Sequence, residues 1–92
     1  MEKVSGKYYH VCEFGESDGQ KSQADHIYDS ITHNELTCGE AITKILELCS
    51  EEYDESPELV LDGESIIGKS ANGNHILMYD AFSGIFDVFV KQ

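Results

Sequence analysis

The sequence predicts an α+β fold: a mostly antiparallel sheet of five or six strands with one main amphipathic helix packed on one face. Three observations lead there. Short runs of β-branched and aromatic residues alternate with turn residues such as Asp62-Gly63 and Asn72-Gly73. A single longer stretch repeats its apolar residues at helical spacing. The chain has 92 residues, 40% of them hydrophobic, which suits one globular domain spanning residues 1–92.

Taken in order, Lys7–Phe14 reads as a strand, since Tyr8, Tyr9, Val11, Cys12 and Phe14 are strand formers. Gly15–Asp25 reads as a polar loop. His26–His33 reads as a second strand, with Ile27, Asp29 and Ile31 on one face and Tyr28, Ser30 and Thr32 on the other. Thr37–Ser50 is the helix. Cys38, Ile42, Ile45, Leu46 and Cys49 form its apolar stripe, and Thr37 and Glu40 fit a capping box. Pro57 stops any helix before it. Glu58–Ile67 reads as a hairpin turning at Asp62-Gly63. Gly68–Asn74 is a loop. His75–Tyr79 and Ile85–Val90 close the sheet as a hairpin across Ala81–Gly84. Phe86, Val88 and Val90 share one face of its last strand; Ile85, Asp87 and Phe89 share the other.

Charge narrows the function. Eighteen acidic residues face six basic ones, a formal net charge of -12. All the basic residues are lysines. Such a surface repels nucleic acid and anionic membranes and attracts basic proteins. Direct nucleic-acid binding is disfavoured, because phosphate contacts need Lys and Arg. The three cysteines, Cys12, Cys38 and Cys49, are an odd number without a close pair. With no signal-like or membrane-length apolar run, they suggest buried thiols in a reduced, cytoplasmic setting.

Candidate chemistry is sparse. His10, His26, His33 and His75 lack zinc spacing. His10 and Cys12 would share one strand face, which falls short of a metal site. Cys38 near a helix start has a place for a lowered pKa, but its position in the stripe fits a structural thiol better. The acids Glu51, Glu52, Asp54 and Glu55 lack the glycine and alternation of a calcium loop and read as a solvated patch. No phosphate-binding glycine loop is present. The expectation is therefore no catalytic residue, no metal and no cofactor.

Ile27-Tyr28-Asp29-Ser30-Ile31 resembles the Glu-Ser-Ile edge strand of the phage-encoded protein inhibitors of uracil-DNA glycosylase, with Asp for Glu. Ile42, Ile45 and Leu46 keep the apolar spacing of that family's helix. Ile76–Asp80 and Ile85–Val90 resemble its last hairpin, and Tyr53-Asp54-Glu55-Ser56 also occurs within the family. This chain departs from the pattern in its first strand and in the longer connection after Ile31. It also has Ala41 and Lys44 where the family carries helix carboxylates, and a second Glu-Ser-Ile at Glu64–Ile66. The resemblance implies a small acidic α+β protein that mimics DNA.

The expected function is a cytoplasmic DNA-mimic inhibitor that blocks a basic-grooved DNA-handling enzyme, with a uracil-DNA glycosylase as the leading target. An alternative is an immunity protein, or a phage anti-defence inhibitor of a nuclease. A small enzyme or metal protein is the contrasting class. The resemblance implies that Asp29, Ser30 and Ile31 form an edge strand aimed into the enzyme's DNA groove. Glu40, Ile42, Ile45 and Leu46, with Leu59 and Met78, would flank it and supply an apolar pocket for a hydrophobic side chain of the enzyme. Oligomeric state is not expressed in the sequence.

Overall fold

The computed structural model describes residues 3–48, 58–62 and 66–91, and in residues 3–7 and 58–62 the backbone alone. The architecture is α+β: an antiparallel sheet with two helices against it. The elements run β1 (Lys3–Phe14), α1 (Asp18–Thr32), α2 (Cys38–Leu48), β2 (Glu58–Asp62), β3 (Ile66–Lys69), β4 (His75–Asp80) and β5 (Ile85–Lys91). The sheet order is β2-β1-β5-β4-β3.

The expected set of strands needs one correction, and the helix count another. His26–His33 is not a strand, and Gly15–Asp25 is not a loop. Asp18–Asp25 of the latter and His26–Thr32 of the former make up α1, which has 15 residues, with Ser17 and His33 as its caps. The Ser17 side chain accepts from the Gln20 N–H. Ala24 and Ile27 are buried, and Tyr28 and Ile31 pack against the same core. These four positions follow the helical spacing i, i+3, i+4, i+7. Ile27 and Ile31 alone cannot separate the two readings, because residues four apart share a face in a strand and in a helix alike. Asp29 separates them. A strand would turn its carboxylate inward with both isoleucines, and an unpartnered buried carboxylate is costly. The helix leaves Asp29 exposed. Asn34, at φ 60°, ends the turn after α1 in the left-handed region that asparagine tolerates.

The second helix matches its expected stripe. Ala41, Ile42 and Ile45 are buried. The capping box is formed: the Thr37 N–H donates to Glu40 Oε1 at 3.1 Å, and the Glu40 N–H to Thr37 Oγ1 at 3.1 Å.

The expected Glu58–Ile67 hairpin is absent. Its two strands, β2 and β3, lie on opposite edges of the sheet; Gly63 of the expected turn lies outside the described residues. This placement bends the sheet. Asp62 ends β2 opposite Lys3, while Ile66 begins β3 opposite Met78. Four Cα–Cα steps join Asp62 to Ile66 and span at most about 15 Å. Four interstrand spacings on a flat sheet already come to about 19 Å. The sheet is therefore strongly coiled. Register shifts between Ser5 and Tyr8 and between His10 and Cys12 give β1 the bulges that allow it.

Coiling produces two clusters. On the helix side, Val11, Cys12, Phe14, Leu77, Phe86 and Val88 meet Ala24, Ile27, Ala41, Ile42 and Ile45. On the face the helices leave uncovered, Tyr8, Ile76 and Phe89 are buried, flanked by Ile66 and Met78.

Two glycines give opposite tests of this packing. A methyl at Gly68 would sit 2.3 Å from Cys38 Sγ, whereas one at Gly19 meets nothing within 4 Å. Gly68→Ala should destabilise the fold by about 1–3 kcal/mol through overpacking of α2 on β3. Gly19→Ala should stabilise it by roughly 0.4–1 kcal/mol, because residues 18–32 are helical. Urea unfolding of both variants checks this; a destabilised Gly19→Ala would argue against α1.

Candidate acidic docking face

One side of the molecule gathers carboxylates around an aromatic ladder. Tyr28 of α1 stacks on Tyr79 of β4 with ring centroids 4.1 Å apart and planes 14° from parallel. Tyr79 leans on Phe86 at 4.7 Å. The ladder ties α1 to the sheet. Gly15, at φ 114°, lets the chain leave β1 close to the β4–β5 turn: a methyl there would lie 2.9 Å from the Gly84 carbonyl and 3.0 Å from Ala24 Cβ. Only glycine fits this junction without movement.

The exposed side of α1 carries Asp18, Asp25 and Asp29. Asp25 and Asp29 are one turn apart, about 6 Å along the axis. Asp80, at the end of β4, joins them. Burial raises the pKa of the Tyr79 hydroxyl first, and then the nearby charges of Asp25, Tyr28, Asp29 and Asp80 raise it further. Asp80 itself is held below its ordinary range by a hydrogen bond from Ser83 and the Phe82 backbone N–H. Among the described residues, no lysine pairs with these carboxylates; the ion pair found is His10–Asp87 at 2.8 Å. Both helices also lack a basic residue in their last turn. Asp29 therefore sits where a helix dipole disfavours a negative charge.

A second acidic group lies at the top of β1. Glu13 faces Asp87 across the β1–β5 ladder. A hydrogen bond with Glu16 raises the Glu13 pKa above its ordinary value of 4.5, aided by burial and by the Asp87 charge, and opposed by His10.

The residues singled out from the sequence do not form one site. Asp29 lies on the exposed side of α1; Ser30 and Ile31 are half-buried on the same helix, and Ile31 packs on the core. They are not an edge strand, because capping at Ser17 and the helical apolar stripe fix this segment as helix. Glu40, Ile42 and Leu46 line an open groove of about 520 Å³ between α2 and the β3–β4 turn, with Thr37, Ser70 and His75. Ile45 is fully buried beneath it. Met78 packs with the cluster on the opposite sheet face, so it cannot wall the same pocket. Leu59 belongs to β2, and its side chain lies outside the described residues, as do Glu51, Glu52, Asp54 and Glu55.

The bulge between His10 and Cys12 puts these two on opposite faces, since His10 pairs with Phe89 and Cys12 with Val88. Among the described residues no three His, Cys, Asp or Glu side chains converge as metal ligands. Cys38 donates to the Ile67 carbonyl at 3.3 Å, and burial raises its pKa, the reverse of an activated nucleophile. Among the described residues no helix is long and apolar enough to cross a membrane.

The sequence reading missed the junction of α1 with the β4–β5 turn. Its signals were the Ser17-x-x-Gln20 cap pattern and the spacing of Ala24, Ile27, Tyr28 and Ile31. No protein-family model matches the chain, and no curated protein or solved structure matches it either.

A carboxylate whose folded pKa is raised contributes its stabilisation fully below the unfolded value and loses it as pH rises through the folded one. A carbon-detected NMR titration should therefore give Glu13 a midpoint above 4.5. In Glu16→Ala the midpoint should fall back toward that value. An unchanged Glu13 midpoint in this variant would mean that the two side chains do not share a proton.

Proposed function

We propose that this chain is a small acidic binding protein that inhibits a nucleic-acid-handling enzyme by occupying its basic groove. The observation that carries the reading is the row of exposed carboxylates on α1, Asp18, Asp25 and Asp29, extended by Asp80 and unpaired with lysine among the described residues. Self-repulsion of like charges costs stability, and a negative charge in the last turn of a helix adds to that cost. A complementary basic groove offsets both and speeds encounter.

The glycosylase as target rests on the resemblance of Ile27–Ile31 to an edge strand. These residues are helical here, so the proposal is the class of partner, with the glycosylase as one member. A nuclease inhibited by an immunity or anti-defence protein presents the same basic groove and belongs to the same class.

The test is displacement of a fluorescent DNA duplex from a panel of enzymes that includes a uracil-excising glycosylase and several nucleases. The protein in molar excess should release the duplex from one of them, and more weakly as salt rises, because exposed charges are screened beyond about 8 Å at 0.15 M. The double variant Asp25→Lys/Asp29→Lys should fold with equal or greater stability and lose the displacement. Full displacement by this variant would remove α1 from the interface.

A further inference from the structure

The β4–β5 turn holds Phe82 with its side chain fully exposed, at 101% of its reference area. Isolated exposed apolar residues are common on loops. The backbone that carries this one is held in place. Its N–H donates to Asp80 Oδ1 at 2.9 Å, and the Gly84 N–H donates to the Asp80 carbonyl at 2.7 Å. Gly84 adopts φ 74°, which closes the turn. Around the base of the turn lie polar groups: a methyl at Gly84 would be 3.7 Å from Asp25 Oδ1 and 3.8 Å from the Tyr79 hydroxyl. The carboxylates of Asp80 and Asp25 lie at the base of the turn, and the ring itself is left in solvent.

We propose that Phe82 is the anchor of the acidic face, inserting into an apolar recess of the partner protein that is rimmed by Lys and Arg. The inference rests on the docking reading above and adds the group that gives the complex its lifetime. Charge complementarity selects the partner's chemistry. The flanking Asp25, Asp29 and Asp80 suit a basic protein rim and oppose insertion into an anionic lipid surface. Exposed carboxylates govern encounter, whereas a desolvated aromatic anchor governs dissociation.

The experiment compares stopped-flow and surface kinetics of the wild-type protein, Phe82→Ser, Phe82→Leu and Asp25→Asn/Asp29→Asn against the enzyme whose DNA duplex is displaced. Phe82→Ser should dissociate at least about 10-fold faster, with its association rate and salt slope within about twofold of wild type. Phe82→Leu should fall between. Asp25→Asn/Asp29→Asn should do the reverse, slowing association and flattening the salt slope. If Phe82→Ser leaves at the wild-type rate while the carboxylate variant still slows association, the anchor is refuted and the docking reading survives. If no enzyme of the panel releases its duplex, the docking reading fails and takes the anchor with it. Co-sedimentation with phosphatidylcholine–phosphatidylserine vesicles that is lost in Phe82→Ser would overturn the protein recess in favour of lipid.

Discussion

Tyr79 sits between Tyr28 of α1 and Phe86 of β5, and that contact fixes α1, with its carboxylates, against the sheet. Ala24 and Ile27 complete the seam between helix and sheet, both essentially without solvent exposure. A helix fixed along one side presents its other side as a rigid array, so Asp18, Asp25 and Asp29 keep constant spacing. Flexible carboxylates would lose conformational entropy on meeting a partner. Carboxylates on a docked helix have already lost the backbone part of it. The same seam brings the β4–β5 turn beside α1, which places Asp80 and Phe82 at the edge of the array.

The fold shows a consistent conflict between stability and charge. Neither helix has a basic residue in its last turn. Asp29 of α1 and Glu47 of α2 occupy the end where the backbone dipole is negative. The core on the helix side is well closed, with Phe14, Phe86, Ile27, Ile45 and Leu77 almost completely buried. Local conflict on the surface together with consistency in the core is the usual arrangement where surface residues serve binding. Solubility alone would be met by net charge placed anywhere on the surface.

Much of the framework was legible because its signals were local. The capping box at Thr37 and Glu40 and the stripe through Ile42 and Ile45 identified α2, and the alternation of Ile85–Val90 gave the faces of β5 correctly. Two errors share one physical origin. Ile27 and Ile31 satisfy both periods, so a short window could not distinguish strand from helix, and the cap at Ser17 lay ten residues upstream of Ile27. Asp62-Gly63 favours a tight turn, yet β2 finds its partner in β1, 50 or more residues earlier in the chain. Pairing at that range is decided by the curvature of the whole sheet, which no local pattern carries. The site was less legible than the fold. Acidity pointed to a basic partner, but the meeting of α1 with the β4–β5 turn depends on Gly15 and on long-range packing against Tyr79.

The central claim is that the exposed side of α1 and the turn beside it form one interface. The most direct measurement is a nitrogen-15 NMR titration of the labelled protein with whichever enzyme of the panel releases its DNA duplex. Amides of Asp18–Thr32 and Asp80–Gly84 should shift or broaden together at the lowest enzyme ratios. Perturbation confined to the β2 or β3 edge, with α1 unchanged, would contradict the account.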